Sequence, residues 1–449
     1  MSQPVADILP VRPQTGRPLT HRPWSLFAQA HPGEATGMLL MATNIFVLLG
    51  AYYLLKTVRE ALILTEGGAE VKSYSSAGQA LLLLLLVPAY GALASRMNRM
   101  RLVSFVTIFF AADLALFAAL GLSGMKVGVA FFLWVGIFNV LIVAQFWAFA
   151  NDAYKPEEGK RLFPFIGIGG SLGAIAGAQF AKPLLLQIGP YWVMALVAAA
   201  LVFSLLLTQA ANRRVCAACP HKAQTNEEAL GKEGGFRLIL RTRYLLLIAL
   251  LVLVLNIVNS TGEYVLSKFV VEEATRRALS GAEKARFIGG FYGDFFWWVN
   301  VVSFAFQTLL VSRLFKWIGV GGALFILPLV ALSGYGALLA LPLLPIVRVM
   351  KIVENATDYS IQSTTRQALF LPTSREAKYK AKAAIDTFFW RAGDVLQAGL
   401  VLLGATLGFG VSAFSAFNLV LVLFWLGLAA LIFFEHRKLS PPEKAAITQ

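Results

Sequence analysis

Runs of apolar residues separated by short polar intervals recur along the chain from about residue 37 onward. A helix that crosses a bilayer needs about 20 mainly apolar residues. The runs supply twelve such segments: 37–64, 75–95, 102–122, 127–150, 162–182, 191–211, 244–271, 287–311, 320–341, 343–368, 380–405 and 412–434. Spans 1, 7, 10 and 11 contain charges and are the least apolar. The longest polar interval, 212–243, divides the spans into two sets of six. The pattern predicts an all-α integral membrane protein: a tail 1–36, a six-helix half 37–211, a loop 212–243, a second half 244–434 and a tail 435–449.

Composition strengthens this reading. Of 449 residues, 58% are hydrophobic and 14% charged, against roughly 45–50% and about 25% in a globular domain. The formal charge of +15 would suggest a nucleic-acid partner on a soluble chain. Here the positions of the cations decide. Of 39 lysines and arginines, 26 fall in the tails and even-numbered loops, 7 in odd-numbered loops and 6 inside spans. The positive-inside rule then places both termini and the central loop in the cytoplasm, in a multi-pass protein of the cytoplasmic (inner) membrane. No nucleic-acid partner is implied; the partners are the lipid bilayer and whatever the spans enclose.

Several kinds of chemistry are not signalled. The two cysteines, Cys216 and Cys219, cannot build a disulfide framework or a four-cysteine zinc site. With His221 they read as a solvated loop. The segment 1–32 lacks the apolar core of a secretory signal. No G-x-x-x-x-G-K-[ST] motif, catalytic triad or zincin motif occurs, so neither an enzyme, a cofactor nor a metal site is expected.

An internal repeat adds architecture. Gly50-Ala-Tyr52-Tyr-Leu54-Leu-Lys56 matches Gly262-Glu-Tyr264-Val-Leu266-Ser-Lys268, and Leu93-Ala-Ser95-Arg96 matches Leu310-Val-Ser312-Arg313, at offsets of 212 and 217. Two related six-helix halves are the parallel repeat of the major facilitator architecture. The stretch Gly91 to Arg101 resembles that superfamily's loop between helices 2 and 3, with Ser95 and Asn98 where it usually has Asp and Gly.

Charges inside spans carry the functional signal. Each costs about 2.5–3.5 kcal/mol at the bilayer centre on insertion scales, so it normally faces a partner or a wet cavity. At about 100° per residue, span 10 gathers Arg348, Lys351, Glu354, Asn355, Asp358 and Gln362 on one face. Span 7 aligns Asn256, Asn259, Ser260, Glu263 and Ser267; span 1 aligns Tyr52, Lys56 and Arg59, with Glu60 a turn beyond Lys56. Span 11 aligns Lys382, Asp386, Trp390 and Gln397. In the facilitator architecture helices 1, 4, 7 and 10 surround the central cavity. Three of those four carry polar stripes here, so a shared polar cavity near the midplane is the economical account, and the excess of cations on spans 1 and 10 suggests an anionic substrate. The competing account is structural pairing: Lys56 with Glu60, and Arg348 or Lys351 with Glu354 or Asp358. Gly169, Gly173 and Gly177 read as a helix-packing face. Trp297 and Trp298 read as core.

Longer motifs resemble a known family. Leu55-Lys56-Thr57-Val58-Arg59-Glu60-Ala61-Leu62 is similar to L-R-T-L-K-D-x-L of the ATP/ADP translocases, the nucleotide transporters of plastids and intracellular bacteria. Phe146 to Asn151 is similar to that family's F-W-G-F-A-N, and Lys160-Arg161-Leu162-Phe163-Pro164 to its K-R-F-Y-P. The run Lys380-Ala381-Lys382-Ala383-Ala384-Ile385-Asp386 is similar to K-G-K-A-A-I-D. The resemblance implies a facilitator-type carrier exchanging ATP for ADP. It places the family's helix 1 lysine at Arg59, its helix 7 glutamate at Glu263 and its helix 11 lysine at Lys382. The helix 4 glutamate has no acidic counterpart between Val135 and Asn139, and the family's D-P is here Ser363-Thr364.

The leading expectation is therefore alternating-access antiport of nucleotides or a related organic phosphate. Lys56, Arg59, Arg348, Lys351 and Lys382 would hold phosphate, with Glu263, Asp358 and Asp386 beside them. A proton-coupled facilitator for another solute is the alternative, titrating at Glu263, Asp358 or Asp386. A non-transporting scaffold or receptor is the third reading.

Overall fold

Within a bilayer each backbone N–H and C=O needs a partner in its own segment, and the helix supplies it. The computed structural model describes residues 34–94, 96–154, 156–218, 235–374 and 376–439; these contain helices and no strand. The first six predicted spans fall on α1 (Glu34–Glu66), α2 (Gly68–Ala94), α3 (Arg99–Leu122), α4 (Gly128–Ala153), α5 (Pro156–Gln187) and α6 (Gly189–Ala218). A short α7 (Gly235–Arg241) precedes α8 (Arg243–Arg276), which is span 7, and α9 (Gly281–Leu309) is span 8. Span 9 falls on the end of α10 (Val311–Ala323) and on α11 (Ile326–Ala340). Span 10 is α12 (Leu344–Thr357) continued through a π-helical turn, Asp358–Gln362, into α13 (Ser363–Leu369). Span 11 opens with π-helical turns Ala377–Ala381 and Ile385–Phe389 around α14 (Lys382–Ala384), then runs on as α15 (Trp390–Thr406). The last helix is α16 (Val411–Leu439). The tails, Cys219 and His221 lie outside the described residues.

Among the described residues, eight helices are long and apolar enough to cross a membrane alone, and α9 with α10, bent by 75°, makes a ninth if the pair is one span. The sequence predicts twelve, and the difference has local causes. In α10 the backbone breaks at Gly319, whose φ of 70° suits glycine, so span 9 begins only after it. Spans 10 and 11 carry π-helical turns and buried charge, which shorten their regular apolar stretches.

Helix ends follow local chemistry. Asn98 accepts a hydrogen bond from the Met100 N–H and caps α3, a contribution of about 1 kcal/mol. Gly68, at φ 76°, reverses the chain between α1 and α2. The glycine stripe on α5 packs as the sequence suggests. A Cβ on Gly169, Gly173 or Gly177 would run into the backbone of Ala42, Phe46 or Gly50 respectively, so α1 and α5 touch main chain to main chain.

The bundle has two distinguishable ends. At the terminal end, Arg161 of α5 pairs with Glu34 at the start of α1, and Arg99 of α3 with Asp152 of α4. At the far end, Glu66 closes α1 by accepting from the Gly128 N–H of α4 at 2.8 Å. Buried apolar side chains form one large cluster within α1 and α3–α6, including Leu55, Phe110 and Phe138. A second, within α8–α16, also takes in Tyr53, Phe132 and Ala178.

Candidate functional site

The turn at Gly68 folds α2 back along α1, and this brings Lys72 against Glu60. Their ion pair measures 2.7 Å, with Glu60 about 1% exposed. Arg59 reaches the same carboxylate at 2.5 Å from its other side and lies over the Phe132 ring at 4.5 Å. Lys72 also donates to Ser267 of α8 at 2.9 Å and stands 4.0 Å from Glu263. Glu263 in turn accepts from Asn355 at 2.8 Å and lies 3.9 Å from Lys351. Lys351 has no exposed surface; it pairs with Glu354 at 3.1 Å and donates to the Asn259 side chain at 2.8 Å. A continuous chain of charge thus runs from α1 through α2 and α8 to α12.

Lys56 is placed differently. Its ammonium lies over Phe296 at 4.2 Å from the ring centre, with Tyr53 at 5.4 Å and Tyr359 at 5.8 Å. Among the described residues no carboxylate forms an ion pair with it. Aromatic faces attract a cation by about 0.5–2 kcal/mol, less than a buried carboxylate would, so its charge is the least neutralised in the cluster.

A second polar clasp joins α8 to α15. Asn256 donates to the Trp390 carbonyl at 2.7 Å and to Asp394 at 2.8 Å, while Ser260 and Arg391 also reach Asp394. These groups, with those of α1 and α2, surround a cavity of about 210 Å³. Four cations line it (Lys56, Arg59, Lys72 and Arg391) against three carboxylates (Glu60, Glu263 and Asp394). A larger cavity of about 770 Å³ lies toward the terminal end, between α1, α4, α5, α9 and the α12–α13 segment. Lys56 and Tyr359 line both.

Of the residues named from sequence, the structure brings Lys56, Arg59, Glu263 and Lys351 together. Arg348 is one turn nearer the far end than Lys351 and lines a separate lateral groove. Asp358 is buried in the π-helical turn of span 10, with its Oδ1 unpartnered, and lines neither central cavity. Lys382 pairs with Asp386 at 3.7 Å, both partly exposed and away from both cavities. Asp386 lies within the π-helical turn Ile385–Phe389, which sets Lys382 out of step with Trp390 and Gln397, so a constant 100° step overstates their alignment.

The structural-pairing account holds in part: Lys351 pairs with Glu354, but Glu60 takes Arg59 and Lys72 instead of Lys56. Sequence reasoning missed Lys72, which it left in a loop, and also Phe296, Arg391 and Asp394. Asp394 had a signal, since it follows Trp390 by four residues on the stripe that ends at Gln397. Trp297 packs against the core as expected, whereas Trp298 is 46% exposed. Among the described residues no cluster of histidine, cysteine and acidic side chains could hold a metal ion.

Comparison with known proteins adds a lineage. Residues 131–335 and 327–435 match the TLC ATP/ADP transporter family. ADP,ATP carrier protein 1 of Chlamydia pneumoniae is 25% identical over 64% of this chain and 63% of its own length. ADP,ATP carrier protein 5 of Rickettsia bellii is 26% identical over 69% of each chain. The matched part thus covers a little under two thirds of the chlamydial relative. Among solved structures, the nucleoside transporter NupG superposes with a TM-score of 0.62 over 90% of this chain and 99% of its own, at 12% identity. A bacterial homolog of the lysosomal transporter Spinster gives 0.59 over 92% and 100%, at 15% identity. The fold is that of major-facilitator transporters.

Proposed function

The chain belongs to the TLC ATP/ADP transporter family, and from that premise we propose that it exchanges nucleotides, ATP for ADP, by alternating access. The two halves, 37–211 and 244–434, rock about the cluster on α1, α2, α8 and α12. Both termini and the central loop face the cytoplasm, in the cytoplasmic membrane, so the 770 Å³ cavity faces inward and the far end faces out.

One observation carries this reading: Lys56, the least neutralised cation, sits among aromatic rings where the two cavities meet. An anionic phosphate chain reaching Lys56 next meets Arg59 and Lys72, which Glu60 already holds. Phosphate competes with that carboxylate because guanidinium and ammonium bind either oxyanion by charge-assisted bonds. Tyr53, Phe296 and Tyr359 offer faces to a base. When phosphate takes Lys72, its contacts with Glu263 and Ser267 weaken, and these cross from one half to the other. Substrate thereby lowers the free energy of opening the far end by interacting differently with the two states. An unoccupied carrier has no such substitute for Glu60, which favours exchange over net flow.

The test is uptake of labelled ATP into proteoliposomes loaded with ADP, compared with empty ones. Uptake that needs internal nucleotide and is lost in Arg59→Ala supports the proposal. Transport driven by a pH gradient without counter-substrate, or equal in wild type and variant, refutes it.

A further inference from the structure

A third cavity, about 770 Å³, opens on the side of the bundle toward the far end, between α5, α9 and the start of α12. Its rim gathers Lys182, Arg277, Arg286 and Arg348. Two of these are already committed: Lys182 to Asp294 at 2.8 Å, and Arg277 to Glu273 at 2.7 Å. Arg348 lies over the Phe291 ring at 5.3 Å, and neither it nor Arg286 has a carboxylate partner among the described residues.

Below the rim the lining is apolar. Leu186, Trp298 and Val349 are 45%, 46% and 61% exposed, on helices that otherwise bury such groups or face lipid. From Arg286 to Trp298 the groove follows twelve residues of α9, roughly 18 Å at 1.5 Å per residue. The chain's charge pattern makes the rim more informative. Odd-numbered loops hold only seven cations in all, yet Lys182, Arg277 and Arg286 from that small set converge on this groove.

A cationic rim over an apolar trough matches one ligand chemistry at both ends: a phosphate headgroup joined to an acyl chain. A free nucleotide or inorganic phosphate would satisfy the rim and leave the trough uncovered. We propose that this groove binds an anionic phospholipid, with Arg286 and Arg348 donating to the headgroup phosphate and one acyl chain lying along Leu186, Trp298 and Val349. The site is separate from the central cavity, and its test does not depend on which solute the protein carries.

The experiment is thermal unfolding of the purified full-length protein in detergent, titrated with phosphatidylglycerol, phosphatidylcholine, inorganic phosphate or ATP. Phosphatidylglycerol should raise the melting temperature saturably, because a ligand that binds the folded state stabilises it. Phosphatidylcholine should not. Losing one cation near a lipid headgroup weakens binding roughly fivefold. Arg286→Gln, at an exposed position, should therefore shift the half-saturating concentration about fivefold, and the double variant with Arg348→Gln about 25-fold. A phosphatidylglycerol response unchanged in the double variant overturns the proposal, as does an equal response to phosphatidylcholine. An Arg286-dependent response to inorganic phosphate or ATP that phosphatidylglycerol fails to displace assigns the groove to a free anion and also overturns it.

Discussion

The two cavities that meet at Lys56 are built on opposite principles. The 210 Å³ cavity toward the far end is walled by formal charges, nearly all already matched to one another. Among the described residues, the 770 Å³ cavity toward the terminal end has Lys56 as its only charged lining residue; the rest of its polarity comes from neutral groups such as Asn139, Asn300, Gln307 and Thr364. The contrast extends to how the bundle is tied. Among the described residues, three ion pairs join α1–α6 to α8–α16: Lys72–Glu263, Lys182–Asp294 and Lys268–Glu70. All lie toward the far end, where Tyr264 also donates to Glu70 at 3.1 Å and Gln397 to Ser73 at 3.4 Å. Charge here ties the far end closed, and among the described residues Lys56 is the one cation that lines the wide cavity.

Four substitutions, in falling order of effect, probe that contrast. Lys72→Ala leaves Glu60 buried with one partner fewer. Breaking a buried pair from one side costs about 3–5 kcal/mol, so the variant should lose much of its thermal stability. Lys72→Ala with Glu60→Gln should regain most of it; if the double variant melts no higher than the single one, Glu60 is not the group that Lys72 neutralises. Arg59→Ala removes a cation that the proposed function assigns to substrate phosphate and should lower exchange by about a hundredfold, in line with the loss of one or two charge-assisted bonds at roughly 1.5–3 kcal/mol each. Phe296→Ala takes away the ring nearest the Lys56 ammonium; at about 1–2 kcal/mol, the nucleotide KM should rise roughly 5–30-fold with the protein still folded. Gln307→Ala, in the neutral cavity, should change KM by no more than about threefold, the scale of one solvent-exchanged hydrogen bond. Should Gln307→Ala match Arg59→Ala in transport assays, the division between a neutral vestibule and a charged closure fails.

The apolar spans were legible because length and hydropathy alone decide whether a segment can lie in lipid. The glycine stripe was legible too, since Gly169, Gly173 and Gly177 repeat every fourth residue, a spacing that lets helix backbones approach closely. The site was read less evenly. Lys56, Arg59, Glu263 and Lys351 lie on regular helix, where a 100° wheel works, and they do converge. Lys382 lies between two π-helical turns and Asp386 within the second, and their extra residue per turn is one no wheel anticipates. Arg348 shares a helix face with Lys351 yet sits a turn higher, so the same face opens into two different cavities. Lys72 was hidden by Gly67-Gly68, which reads as a long loop and turns out to be a tight reversal that puts Lys72 back inside the bundle.

The main-chain seam between α1 and α5 separates two kinds of inheritance on one helix. Along Ala42, Phe46 and Gly50, α1 meets glycines that admit nothing larger than hydrogen, so that side is frozen by geometry whatever the cargo. Tyr52, Lys56 and Arg59 face the cavities instead, free of that constraint. On the proposed function, substitutions in the second set would alter what is carried while the joint between the helices stays as it was. The seam thus fixes how the two helices meet and leaves the cavity-facing side of α1 free to vary.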